Sequence, residues 1–417
     1  MKRSKSAAAL VLMAASALPA AAQLPNASTP ALGMGNNFTA AARGYNAVAW
    51  NPAMLGVPGS PSYSLALAQV GVQAGLEPVT LGDISAFEGE VIDMITRRRW
   101  LQRIEADGGE SGTGGADVTW LAAQVGRFGV QLSTTGRALA ELSPGAAELF
   151  LFGNAGFENG EPRPIAVDDS ELHGNAVTTA GLSYAQPFNT SGGTLSVGAT
   201  VKYTVGHVVV VGENRGSTIT AEPVIDLRFP VISTESGGNN GAGFGLDVGV
   251  AFARNNITIA AAVQNVFNTF EWSAGQLVYR PGTALLDATN RATDFDEHAY
   301  SEAPLEMRTR VSEMKYRPAL RAGVAYTATN RLLLTADVHS RFGESELASE
   351  PNFHAGAGAE YRLFPFLLVR AGGAAVTDGF QYAGGLGIEA GPVALHGSIA
   401  QRDGVTVTMV TLLSARR

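Results

Sequence analysis

Between Gly193 and Val205 the apolar residues Leu195, Val197, Ala199, Val201, Tyr203 and Val205 alternate with Ser196, Gly198, Thr200, Lys202 and Thr204. A β-strand turns successive side chains to opposite faces, so a period of two predicts one apolar wall and one wall of small or polar groups. Phe244, Leu246, Val248, Val250 and Phe252 divide in the same way from Gly243, Gly245, Asp247, Gly249 and Ala251. The pattern predicts strands over 62–72, 117–125, 128–135, 174–187, 194–211, 218–229, 243–253, 257–270, 317–326, 331–342, 353–361, 367–376, 380–389, 393–401 and 405–413. Pro223 interrupts the sixth of these, which reads best as an extension or a loop. Gly126-Arg127, Arg254-Asn255-Asn256 and Gly391-Pro392 are turns short enough to force antiparallel neighbours.

Periodicity of this kind fits two all-β architectures. In a soluble sandwich the apolar wall is buried against a second sheet; in a membrane barrel it faces lipid and the polar wall lines the lumen. Strand length separates them. Residues 194–211 make a far longer strand than the roughly 5 to 6 residues usual in soluble sheets, while a tilted spanning strand needs about 9 to 11.

Two segments read as helices. Phe87, Val91, Ile95 and Ile104 lie near helical spacing over 83–107, with Asp83 or Ser85 as cap and Gly108-Gly109 as stop. A shorter helix is predicted over 144–152, with Ser143 as N-cap and Pro144 in the first turn. Residues 282–313 are polar and acidic and read as a long surface loop.

Composition favours the barrel. Lys2, Arg3 and Lys5, the apolar run Ala7 to Ala15 and the small residues Ala20-Ala21-Ala22 form a secretory signal peptide, cleaved near Ala22. Export with no cysteine leaves the fold to core packing or a closed hydrogen-bonded sheet, without disulfides. The signal carries three of the 29 basic residues, so the mature chain keeps 26 against 37 acidic ones, a charge of -11 that argues against a nucleic-acid partner. There are 50 glycines and no mature apolar run of helix-spanning length.

Near the mature N-terminus, Gly33-Met34-Gly35 and Ala40-Ala41-Ala42-Arg43-Gly44 lead into Ala47-Val48-Ala49-Trp50-Asn51-Pro52-Ala53-Met54-Leu55-Gly56. Such a small-residue segment suits a narrow space, and Trp50 and Leu55 give it apolar groups to bury. This Asn-Pro-Ala pattern resembles the N-terminal segment of the FadL family of outer-membrane hydrophobic-compound transporters and of the related PorV-type proteins. Gly245-Leu246-Asp247-Val248-Gly249, Ala261-Ala262-Val263-Gln264-Asn265-Val266, Gly358-Ala359-Glu360-Tyr361 and Arg370-Ala371-Gly372 resemble later strands of the same superfamily.

The resemblance implies a transmembrane antiparallel β-barrel of about 14 strands over 62–417 with short helical insertions, and a plug over 23–61 folded into its lumen. Trp50, Asn51, Pro52, Ala53 and Leu55 would be plug or gate residues. On the alternating pattern, Lys202, Asp247 and Asp337 are candidates to face the lumen.

No catalytic motif appears. The six histidines lack His-x-x-x-His spacing, there is no Gly-x-Ser-x-Gly elbow, and Gly385-Leu386-Gly387 lies in a strand with no helix after it. A non-enzymatic chain without metal or cofactor is therefore expected, sited in the bacterial outer membrane with lipid around it. It would admit hydrophobic or amphipathic small molecules passively past the plug. Two other readings stand beside this one: a PorV-like barrel that binds exported proteins in a secretion or envelope system, and a secreted soluble β-sandwich that binds ligand.

Overall fold

The computed structural model describes residues 28–416 apart from 155–162, 221–223, 236–238, 288–290, 344, 346, 348–349, 378 and 403. The signal peptide lies outside the described residues. Fourteen strands follow one another around a ring: β1 (Tyr63–Glu77), β2 (Glu110–Val125), β3 (Phe128–Leu142), β4 (Glu171–Thr190), β5 (Gly193–Glu213), β6 (Gly241–Arg254) and β7 (Ile257–Asn268), then β8 (Ala319–Thr327), β9 (Leu332–Arg341), β10 (Phe353–Phe364), β11 (Leu367–Val376), β12 (Gly379–Ala390), β13 (Val393–Arg402) and β14 (Val405–Arg416). Each pairs antiparallel with the next, and β14 returns to β1 with Ser64 opposite Arg416 and Gly75 opposite Val405. Closure leaves no edge strand, so the backbone groups of the ring are satisfied within the sheet.

The direction of the faces decides between sandwich and barrel. On β5, Thr200 is 0% exposed and Lys202 1%, whereas Val201 is 55% and Tyr203 40% exposed. On β6, Asp247 is 2% and Phe244 57% exposed. Polar side chains are inside and apolar ones outside, the inverse of a sandwich, whose apolar wall would be covered. Water does not support such an exterior, and hydrocarbon does.

The two ends of the barrel differ. One carries the connections 126–127, 191–192, 255–256, 328–331, 365–366 and 391–392, and the other carries 78–109, 143–170, 214–240, 269–318 and 342–352. Asn255 turns at φ 53° and Gly391 at φ 62°, left-handed backbone that two-residue hairpins require.

The long connections hold the helical insertions α3 (Leu81–Ser85), α4 (Met94–Asp107), α5 (Pro144–Phe152) and α6 (Leu305–Glu313), which follow α1 (Thr29–Gly33) and α2 (Ala47–Trp50) of the N-terminal segment. The single helix predicted over 83–107 is two. Thr80 caps the first, accepting from Asp83 N, and Asp93 caps the second, accepting from Ile95 N and Thr96 N, so neither Asp83 nor Ser85 is the N-cap. Gly108, at φ 93°, ends α4 where the glycine pair predicted a stop. Ser143 caps α5 as expected.

Two other expectations change. Residues 282–313 are not a plain loop: Thr283–Leu286 and Arg291–Asp294 form a hairpin, and α6 follows. Within the sixth strand candidate, Thr218–Ile219 and Ile225–Arg228 lie off the barrel, in a five-stranded sheet with Ile165–Ala166 and that hairpin.

Candidate functional site

The segment from Ser28 to Val57 runs through the inside of the ring. Its residue types explain how it fits. Ser28 caps α1 by accepting from Ala31 N at 3.4 Å, and Asn51 caps the 3-10 turn Pro52–Gly56 by accepting from Ala53 N at 3.0 Å. Ala31, Met34, Ala42, Ala47, Val48, Trp50, Ala53 and Met54 are all buried. They share one apolar cluster with Ala185, Ala251, Ala260 and Ala325, inward alanines of β4, β6, β7 and β8. Small wall residues leave the lumen wide enough for a folded segment, and the segment's own alanines let it approach the wall closely.

Glycines of the wall mark the nearest approaches. A Cβ on Gly198 would lie 2.4 Å from the carbonyl carbon of Pro52, and one on Gly372 would lie 2.2 Å from that of Met34. The segment's free backbone groups are met by wall side chains: Ser196 Oγ donates to Ala53 O (2.7 Å), Thr200 Oγ1 to Val48 O (3.2 Å), Gln264 Nε2 to Ala49 O (2.8 Å) and Ser398 Oγ to Thr29 O (2.7 Å). Asp337 accepts from both Phe38 N and Thr39 N at 2.6 Å through one carboxylate oxygen. These contacts come from strands all around the ring.

Of the residues singled out by sequence, Trp50, Asn51, Pro52, Ala53 and Leu55 are all buried in the lumen. Trp50 meets the Phe38 ring edge-on at 5.6 Å and the Arg321 guanidinium at 4.7 Å from its centroid. Asn51 Nδ2 donates to Val250 O and Ala261 O. Lys202, Asp247 and Asp337 point inward, but they do not form one group. Lys202 Nζ donates to Asp247 Oδ1 at 2.5 Å and to Asn265 Oδ1 at 2.7 Å, while Asp337 sits against the segment.

Sequence reasoning missed Asn265, Gln264, Arg321 and Glu350. Asn265 N donates to Asp247 Oδ1 at 2.7 Å from an irregularity in the β6–β7 ladder, where Asn265 takes φ 57°. Arg321 donates from Nε to Gln264 Oε1 at 3.0 Å and is ion-paired with Glu350. For Arg321 the signal is parity, since it stands in step with the inward Ala319 and Ala325 along β8.

Two cavities open toward the short-turn end beside the segment. One, of about 450 Å³, is lined by Arg43, Tyr45, Glu360, Arg370 and His396; the other, of about 770 Å³, by Arg43, Pro58, Thr190, Asn255 and Thr258. Arg43 stands between them, donating to Ala40 O and Ala42 O at 3.0 Å and to Thr258 Oγ1 at 3.3 Å. Among the described residues no group of three or more His, Cys, Asp or Glu could hold a metal ion.

A closed, even-stranded antiparallel barrel with an apolar exterior, a polar lumen and loops long at one end only is an outer-membrane β-barrel. A model of the family described as "F plasmid transfer operon, TraF, protein" matches residues 166–338, and one of a family of unknown function, DUF5723, matches residues 52–231. Each spans less than half of the chain. No curated protein matches. Among solved structures, the chain is similar to the Pseudomonas putida toluene transporter TodX (13% identity, 94% of this chain and 98% of that one, TM-score 0.49). It is also similar to the Ralstonia pickettii toluene transporter TbuX (14%, 93% and 98%, 0.48) and to a Pseudomonas aeruginosa FadL homologue (13%, 95% and 99%, 0.47).

Proposed function

We propose that this chain is a passive conduit for hydrophobic or amphipathic small molecules across the bacterial outer membrane, with the segment around residues 28–58 as its movable plug. The observation that carries the reading is the burial of that segment inside the strand ring, so that a solute moving between the two mouths must travel along it. Its surface of Ala, Val, Met, Leu and Trp offers an apolar solute contacts of the same kind as those it would displace. The segment is held by side-chain to backbone hydrogen bonds worth about 1 kcal/mol each, which can exchange one at a time. Opening then needs a ligand that competes for these contacts, and no energy source.

The chain has no cysteine, so a reversible lock can be introduced cleanly. Thr29 Oγ1 and Thr411 Oγ1 meet at 2.7 Å, which places Thr29→Cys and Thr411→Cys within reach of a disulfide. Both ends of the segment would then be fixed, one to β14 and the other to β1. Uptake of a hydrophobic dye into proteoliposomes is expected to stop on oxidation and to return on reduction. Unchanged uptake with the bond formed would remove the plug from the account.

A further inference from the structure

Strand β5 serves as a ruler along the lumen. Ser196, Gly198 and Thr200 touch the N-terminal segment, and Lys202 binds Asp247 and Asn265. Gly206 then meets a different set of residues, six positions or roughly 20 Å of strand beyond Thr200 toward the long-connection end. A Cβ at Gly206 would lie 2.5 Å from the Trp272 ring and 3.0 Å from that of Phe270. On the neighbouring strand a Cβ at Gly243 would lie 2.2 Å from Phe270 Cα. The wall is hollowed a second time, for aromatic side chains that turn inward after β7.

Phe270 and Trp272 meet edge-on at 5.2 Å, and Phe270 meets the Tyr316 ring at 6.2 Å. Val177 of β4 and Leu347 of the 342–352 connection complete the cluster, whose Phe270, Tyr316, Leu347 and Val177 are each no more than 2% exposed. Asn268 Oδ1 accepts from Phe270 N at 2.8 Å and fixes the inward turn. Burial pushes the Tyr316 phenol pKa up, with the Arg137 guanidinium opposing that push. The layer therefore touches β4, β5 and β6, while three of its members belong to the connection between β7 and β8 and a fourth to that between β9 and β10.

We propose that Phe270, Trp272, Tyr316 and Leu347 form a second closure of the lumen, in series with the N-terminal segment, which refuses ions and hydrated solutes but yields to an apolar molecule. This rests on the conduit reading and adds its selectivity element. An apolar constriction offers a hydrated ion nothing in exchange for its water, and narrow apolar passages dewet. An apolar solute loses nothing there. Phe270, Tyr316 and Leu347 stand outside the strands, and Trp272 lies on a two-residue strand paired only with Gly241 and Ala242 at the end of β6, so the layer can part by side-chain movement without breaking the ladders that close the ring.

The test is conductance in planar bilayers of four forms: the full mature chain, a deletion of residues 28–58, Phe270→Ala with Trp272→Ala, and the combination, each checked for a heat-modifiable folded band. Closures in series require that each single change leave conductance close to that of the full chain and that the combination raise it by an order of magnitude or more. In the deletion background, Phe270→Leu with Trp272→Leu, which keeps the layer apolar and bulky, should remain closed. If the deletion does not fold, Gly249→Leu, which ousts Asn51, replaces it. Full opening by the deletion alone would overturn the second closure and leave the plug standing. Full opening by the aromatic change alone would overturn the plug as an ion barrier, and series closure with it. A combination that folds and stays closed would also overturn the second closure.

Discussion

Asn51 and Gly249 contend for one space: a Cβ on Gly249 would lie 2.0 Å from Asn51 Oδ1. That oxygen accepts from Ala53 N, while the Nδ2 of the same side chain donates to Val250 O and Ala261 O on either side of the β6–β7 seam. One amide thus caps a turn of the N-terminal segment and fastens it to the wall. A glycine in the wall is the condition for both.

Gly249→Val should therefore oust Asn51 while leaving β6 able to form. Overpacking of this kind costs about 1–3 kcal/mol. The expected outcome is a lower denaturation midpoint in detergent together with faster proteolysis within residues 28–58. An unchanged midpoint and unchanged protection would mean that Asn51 is not held where the structure has it.

Lys202 and Asp247 test the lumen's polarity. Both are buried, and Asp247 also accepts from Asn265 N, a single dipole that cannot neutralise a carboxylate. Lys202→Met should cost about 3–5 kcal/mol because it strands that charge, and adding Asp247→Leu should recover most of the loss. Thermal midpoints of the two single variants and the double variant check this. Additive losses would show that the two do not interact.

His298, outside the barrel, supplies a pH dependence. Its Nε2 lies 3.3 Å from Asp294 Oδ1 and its Nδ1 3.3 Å from Glu302 Oε2. The hydrogen bond to Asp294 is the main influence raising its pKa; burial opposes it and Glu302 adds to it. A raised folded-state pKa means a contribution fully present below the unfolded value of about 6.5 and lost as pH rises through the folded value. Limited proteolysis between Arg291 and Glu302 should quicken over that window in the full chain and lose its pH dependence in His298→Ala. An imidazole titrating below 6.5 by NMR would contradict the arrangement.

The ring of strands was legible because lipid on one side and a polar lumen on the other write a period of two into the chain. Strand ends were not. The ladder of β2 begins at Glu110 rather than 117, and β3 runs to Leu142 rather than 135. Glu110-Ser111-Gly112-Thr113-Gly114-Gly115 has no apolar alternation, yet its backbone pairs with β1 and β3 all the same. The hairpin Thr283–Leu286 with Arg291–Asp294 leaves no pattern for a related reason: among the residues of its two strands only Ala284 is buried.

Within the lumen, the Asn-Pro-Ala segment announced itself as a contiguous motif. Its partners are scattered from Ser64 to Thr411, and parity tells which way a side chain points but not at which height it meets the segment. Asn265 could not be found by parity at all, since the irregular β6–β7 ladder breaks the count there.

The most direct measurement is cysteine labelling along β5, made possible by a chain that has none of its own. Single cysteines at Val197, Ala199, Val201 and Tyr203 should react in intact membranes only with a lipid-soluble maleimide. Cysteines at Ser196, Thr200 and Thr204 should resist that reagent and become open to a water-soluble one when residues 28–58 are removed. The reverse pattern, or water-soluble labelling at Val197 through Tyr203, would place the apolar face away from lipid and end the barrel reading.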